Sequence, residues 1–139
     1  MARLVAYLKA LTPEARLALK GQLFKLSRFP FRVGRESRLH ETADFPDSRR
    51  RPNSIPNNDL YLVELADLLN VSREHFLIAE QDGMFFLVDR GSTCGTLVEG
   101  EVVGGDRQGG RRRLADQDVI IVGTSKSQFV FKFVLEESL

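Results

Sequence analysis

Along the second half of the chain, apolar residues recur at alternate positions in short runs, and each run ends at a turn-forming group. Phe129, Phe131, Phe133 and Leu135 fall on one side of an extended segment, with Val130, Lys132 and Val134 on the other. That period of two marks a half-buried β-strand, because successive strand side chains point to opposite faces. Phe76 to Glu80 and Met84 to Asp89 flank Gln81-Asp82-Gly83. Asp-Gly between apolar runs predicts a hairpin, since the tight turn needs residues that tolerate positive φ. Thr96-Leu97-Val98 and Glu101-Val102-Val103 around Glu99-Gly100 predict a second hairpin, and Val119 to Val122 a buried strand after Asp116-Gln117-Asp118. Many short strands at regular spacing predict an all-β fold, a sandwich or barrel.

The first half is less regular. Leu4 to Leu8 predicts an opening strand. Thr12-Pro13-Glu14 carries the marks of a helix start, with a capping hydroxyl, Pro at the first position and an acid in the first turn, and Gly21 would end it. The segment is short, so a long hairpin loop fits as well. Leu23 to Leu26 and Phe29 to Val33 predict strands separated by Ser27-Arg28. From Glu36 to Asn58 charged and turn-forming residues dominate, including Pro46, Pro52, Pro56 and Arg49-Arg50-Arg51. Such a composition buries too little apolar surface to order itself and predicts a long exposed inserted loop, partly mobile. Asp59 to Asn70 predicts a short strand followed by a loop or one helical turn, and Gly104 to Arg113 a glycine- and arginine-rich turn. With 139 residues and 42% apolar content, the chain fits a single domain over 1–139 with a sizeable core.

Several function classes drop out. Twenty basic against 19 acidic residues create no global field for nucleic acid or membrane. No apolar run reaches membrane-spanning length. Met1-Ala-Arg-Leu-Val is not expected to act as a signal peptide, and Cys94, the one cysteine, excludes an internal disulfide and suits a reducing cytoplasm. His75 has only His40 for company, so neither a metal site nor a catalytic pair is indicated, and Cys94 lacks a Cys-x-x-Cys partner. The expectation is a cytoplasmic, non-enzymatic domain without cofactor or metal. Three polar loops suggest binding instead: Gly34-Arg35-Glu36, Ser72-Arg73 and Ser92-Thr93. Gathered at one edge of a sheet, a guanidinium and short hydroxyl donors would make a site for a dianionic phosphate.

The order of motifs carries a family resemblance. Phe31-Arg-Val-Gly-Arg35, Asn58-Asp-Leu-Tyr-Leu62, Val71-Ser-Arg-Glu-His75, Asp89-Arg-Gly-Ser-Thr-Cys-Gly-Thr96 and Leu114-Ala-Asp-Gln-Asp-Val-Ile-Ile-Val-Gly123 occur in the sequence seen in forkhead-associated (FHA) domains. The resemblance implies a β-sandwich of about eleven strands with binding loops at one end. It also implies recognition of phosphothreonine in a partner protein, a Ser/Thr kinase or its substrate. Arg35 matches the family's phosphate-clamping arginine and Ser72 its phosphate-binding serine. Arg73 occupies a position that adds a further phosphate contact, and Thr93 lines the site in the next loop. His75 matches a buried histidine that holds the loops together, with Gly34 and Gly95 as backbone-shape positions. Cys94 departs from the pattern. The family usually has asparagine there to contact the peptide backbone, and a thiol cannot supply both amide-type bonds.

Two other readings stay open. One is a module of the same fold that binds a protein without phosphate, because Cys94 weakens the site. The other is a nucleic-acid-binding sandwich using Arg49 to Arg51 and Arg111 to Arg113, although aromatic interleaving is absent. Arg49-Arg50-Arg51-Pro52-Asn53-Ser54 also matches a basophilic-kinase target, a pattern common by chance.

Overall fold

Among the described residues, turn chemistry and alternation give eleven strands and one helix. The strands are β1 (Arg3–Ala10), β2 (Leu23–Leu26), β3 (Phe31–Arg35), β4 (Leu60–Leu62), β5 (Phe76–Gln81), β6 (Met84–Asp89), β7 (Thr96–Val98), β8 (Glu101–Val103), β9 (Gly110–Leu114), β10 (Val119–Val122) and β11 (Val130–Ser138). The helix, α1, is Pro13–Leu19. The computed structural model describes residues 3–37, 57–64 and 70–138. Most of the expected inserted loop, residues 38–56 with Arg49 to Arg51, lies outside the described residues, as does the stretch 65–69.

One sheet has six strands in the order β2-β1-β11-β10-β7-β8, the other five in the order β4-β3-β5-β6-β9. Among the described residues the strand pairs are antiparallel except β3 with β4, which run parallel with Val33 opposite Leu60 and Arg35 opposite Leu62. The inner faces interdigitate. Leu8, Leu62, Phe76, Ile78, Leu87, Ile120, Phe131 and Phe133 are essentially inaccessible, each contributing about 1.5–3 kcal/mol by leaving water. Phe85 packs on Phe133 with ring centroids 5.6 Å apart and on Phe29 at 5.5 Å.

The helix alternative prevails over the hairpin loop after β1. Thr12 Oγ1 accepts from the Ala15 N–H at 3.2 Å. The end falls one residue earlier than Gly21 suggested, because Lys20 takes the left-handed cap conformation with φ 58°. The Leu23 to Leu26 and Phe29 to Val33 segments belong to opposite sheets, and the second strand starts only at Phe31.

Two expectations are corrected. Gly104 to Arg113 is not one long turn, since Gly110–Leu114 pairs with β6 as an edge strand. Its alternation is hidden because edge strands carry charge where central ones carry apolar groups. Arg112 donates to the Val98 carbonyl at 2.8 Å and pairs with Glu101 at 3.3 Å, while Arg111 lies 3.9 Å over the Phe86 ring. Asn58, expected at the exposed end of the insertion, is instead buried.

Candidate functional site

The end of β3, the residues that precede β5 and the loops that follow β6 and β8 converge at one end of the sandwich, and backbone hydrogen bonds lock them together. Arg35, the last residue of β3, donates its N–H to the Ser72 carbonyl at 2.9 Å, and the His75 N–H donates to the Val33 carbonyl at 3.0 Å. Gly34 lies between these bonds. A Cβ there would stand 2.0 Å from the Arg73 carbonyl oxygen and 2.6 Å from Asn58 Nδ2. No other residue type allows β3 to pass so close.

His75 ties two loops. Its Nδ1 accepts the Ser72 N–H at 2.9 Å, so in the neutral ring Nε2 carries the proton and donates to the Gly95 carbonyl at 2.7 Å. Burial pulls its pKa below the ordinary 6.5, outweighing the Gly95 hydrogen bond and the fields of Asp89 and Glu64 that pull it up. The ring is a structural strut with both nitrogens engaged.

The loop after β6 is held by Asp89. Its carboxylate accepts from the Gly91 N–H at 2.8 Å, the Ser92 N–H at 2.9 Å and the Ser92 hydroxyl, and Ser92 Oγ accepts from the Gly95 N–H at 3.0 Å. Ser92 is therefore buried inside its own loop and is no donor to a ligand, contrary to the expectation that paired it with Thr93. The Thr93 N–H donates to Ser72 Oγ at 3.1 Å, which leaves the Ser72 hydroxyl proton to point elsewhere. From the β8–β9 turn, the Asp106 and Arg107 N–H groups donate to the Thr93 and Ser92 carbonyls, both at 2.9 Å.

These loops enclose an open cleft of about 740 Å³ whose walls include Arg35, Ser72, Arg73, Thr93 and Cys94. All five residues named from the sequence as ligand contacts are thus brought together, while Gly34, His75 and Gly95 shape the scaffold and do not line it. Arg35 and Cys94 are half-buried and Arg73 and Thr93 exposed.

Sequence reasoning missed two arginines in the same cleft, Arg90 and Arg107. Arg90 donates to Asn58 Oδ1, to the Asn57 carbonyl at 2.8 Å and to Glu74 at 3.0 Å. Partial burial lowers its pKa, which Glu74 opposes only in part, and the hydrogen bonds hold the guanidinium in place. Asn58 in turn donates to the Arg73 carbonyl at 2.8 Å. Arg90 stands in the quoted Asp89-Arg-Gly-Ser run, but its partners at Asn57 and Asn58 are distant in sequence, and Arg107 fell within the segment read as a plain turn.

Among the described residues, the walls hold four guanidiniums against one carboxylate, that of Glu74. Arg35, Arg73 and Arg107 make no side-chain hydrogen bond or ion pair among the described residues. Such a cleft attracts anions, and its donors suit phosphate oxygens. Among the described residues, no cluster of His, Cys, Asp or Glu is placed to hold a metal ion.

Known structures share this architecture. The FHA domain of CT664 protein from Chlamydia trachomatis superimposes with a TM-score of 0.57 at 21% identity, over 94% of this chain and 96% of that one. Mycobacterium tuberculosis EmbR, solved with a low-affinity phosphopeptide, gives 0.55 at 24% identity, over 94% of this chain and 24% of that one. A chain from a study of phosphothreonine-dependent FHA domain interactions gives 0.54 at 22% identity, over 94% and 95%. A search of curated protein sequences found no match. The family model for the FHA domain matches residues 31–123, the span from β3 through β10 that carries every loop of the cleft, and the chain belongs to the FHA domain family.

Proposed function

We propose that this domain is a non-enzymatic phosphopeptide-binding module that docks onto phosphothreonine in a partner protein. The reading is carried by the convergence of Arg35, Ser72, Arg73 and Thr93 on one preformed cationic cleft. In it the Arg35 guanidinium grips two phosphate oxygens, the Ser72 hydroxyl donates to a third and Arg73 adds an outer charge. Each charge-assisted bond of this kind contributes about 1.5–3 kcal/mol. Relatives of the same fold solved with a phosphopeptide or described as phosphothreonine-dependent support the ligand class. Cys94 sits on the cleft wall, where it would meet the peptide's main chain beside the phosphate. A Ser/Thr kinase or its substrate is the partner class.

The oligonucleotide reading loses ground, because Arg111 and Arg112 are engaged with Phe86, Val98 and Glu101. Calorimetric titration with a degenerate phosphothreonine peptide library, its unphosphorylated copy, a phosphoserine copy and an oligonucleotide tests the proposal. Heat confined to the phosphothreonine library is the expected result. Equal binding of the unphosphorylated library would establish the phosphate-independent alternative, and binding of the oligonucleotide alone would establish the nucleic-acid one.

A further inference from the structure

The charge of the cleft exceeds what one phosphate needs. Among the described residues, four guanidiniums against the single carboxylate of Glu74 leave a surplus of three positive charges. A phosphomonoester brings about two negative charges at neutral pH. One cation is therefore left over, and Arg107 is the one set apart by its position. Arg35 is bonded through its N–H to the Ser72 carbonyl, Arg73 follows Ser72 in the chain, and Arg90 is consumed by Asn57, Asn58 and Glu74. Arg107 arrives separately, from the β8–β9 turn, on the side where that turn underpins Ser92 and Thr93.

The backbone that delivers it is demanding. Asp106 and Arg107 both have positive φ, 52° and 61°, and the Gln108 N–H closes the turn onto the Gly105 carbonyl at 3.0 Å. Glycine or asparagine is the ordinary occupant of such a turn. An arginine held in a left-handed conformation, pinned through its own N–H to the Ser92 carbonyl, is a long cationic side chain on a rigid mount. Among the described residues it has no ion-pair partner.

We propose that Arg107 is a specificity-determining residue that reads a second anionic group, a carboxylate or another phosphate, on the peptide near its phosphothreonine. This rests on the phosphopeptide reading above and adds the substrate class: peptides whose phosphothreonine lies beside an acidic or second phosphorylated residue. The peptide chain would run from the Arg35–Ser72 corner past Thr93 and Cys94 towards the β8–β9 turn.

The test uses a phosphothreonine peptide with alanine flanks, and variants in which one aspartate or one phosphoserine is walked through the flanking positions. Binding is measured by fluorescence anisotropy at low and high salt. At one register the wild-type domain should prefer the aspartate peptide by about two- to fivefold, as for an exposed ion pair, and the phosphoserine peptide more strongly. The preference should shrink as salt rises, because exposed charges are screened. Arg107→Gly removes the side chain while suiting the turn's positive φ, so the fold is retained, and it should bring the acidic-to-alanine affinity ratio to about one. Arg107→Lys should keep part of the ratio. Absence of any preferred register, or a ratio unchanged in Arg107→Gly, overturns the assignment while leaving the phosphothreonine reading standing. If the alanine-flanked and acidic phosphopeptides both bind no better than their unphosphorylated copies, the underlying reading fails and this one with it.

Discussion

Replacing Gly34 by alanine should damage stability and binding together, and the size of the effect follows from the packing around one missing methyl. The added Cβ would lie 2.0 Å from the Arg73 carbonyl oxygen and 2.6 Å from Asn58 Nδ2. The first neighbour is backbone, so it cannot swing aside like a flexible side chain. The strand and the loop would have to part by more than an ångström. That opens the Arg35 N–H to Ser72 carbonyl bond and loosens the Asn58 to Arg73 bond, now 2.9 and 2.8 Å. Each lost bond costs about 0.5–1.5 kcal/mol and overpacking about 1–3 kcal/mol, which places the total for the two bonds and the clash at about 2–6 kcal/mol. With a urea slope of about 2 kcal/mol/M, the unfolding midpoint should fall by roughly 1–3 M. Gly21→Ala is the control, since its Cβ meets nothing within 4 Å and its φ is not positive; it should shift stability by no more than about 0.5 kcal/mol. Urea denaturation followed by tyrosine fluorescence or circular dichroism measures both. A Gly34→Ala midpoint indistinguishable from that of Gly21→Ala would refute the argument that this close approach holds the cleft's two walls together.

Three further outcomes are expected. Arg35→Ala should remain folded and lose phosphothreonine-peptide affinity by at least about tenfold in calorimetry, the loss expected for a bidentate charge-assisted contact; unchanged affinity would remove Arg35 from the site. Cys94→Asn should tighten binding of the same peptide by roughly five- to a hundredfold, because a carboxamide can both donate to and accept from a passing main chain; equal or weaker binding would show that the thiol suits the natural partner or that the peptide takes another path. His75 is held neutral in the fold with its pKa below 6.5, so the unfolded chain binds the extra proton and stability falls as pH drops below that value. Denaturation midpoints between about pH 7.5 and 5.5 should show this slope and lose most of it in His75→Gln, which keeps a donor for the Gly95 carbonyl but does not titrate; an unaltered slope in the variant would assign the dependence to other groups.

Local signals in the sequence were informative where structure is local. The Asp82-Gly83 and Glu99-Gly100 turns sit where their hairpins were expected, with φ of 53° and 79° at the first and 50° and 82° at the second. The alternation of Phe129, Phe131 and Phe133 puts all three in the core. The Thr12 cap and Pro13 mark the helix start. The misreadings concern relations that periodicity cannot express. Nothing in Leu23 to Leu26 or Phe31 to Arg35 says that the chain changes sheet between them. β9 hides as a strand because its charged side chains satisfy an edge. At the site, motif order was enough to name residues that meet in the cleft. It did not disclose that Ser92 turns inward to Asp89, or that Arg90 reaches Asn57 and Asn58 across more than thirty residues. Those roles follow from tertiary hydrogen bonds.

The mutual locking of the loops has a kinetic consequence. The cleft's shape is fixed by the main-chain bonds from Arg35 to Ser72 and from Arg107 to Ser92, by the Thr93 N–H on the Ser72 hydroxyl oxygen and by the neutral His75 strut between Ser72 and Gly95. The domain side of the encounter then needs little reordering, and most of the conformational entropy lost on binding belongs to the peptide. Peptides of equal length and charge should accordingly arrive at nearly the same rate and differ in how long they stay. For a module of this construction, selectivity among partners is a matter of residence time.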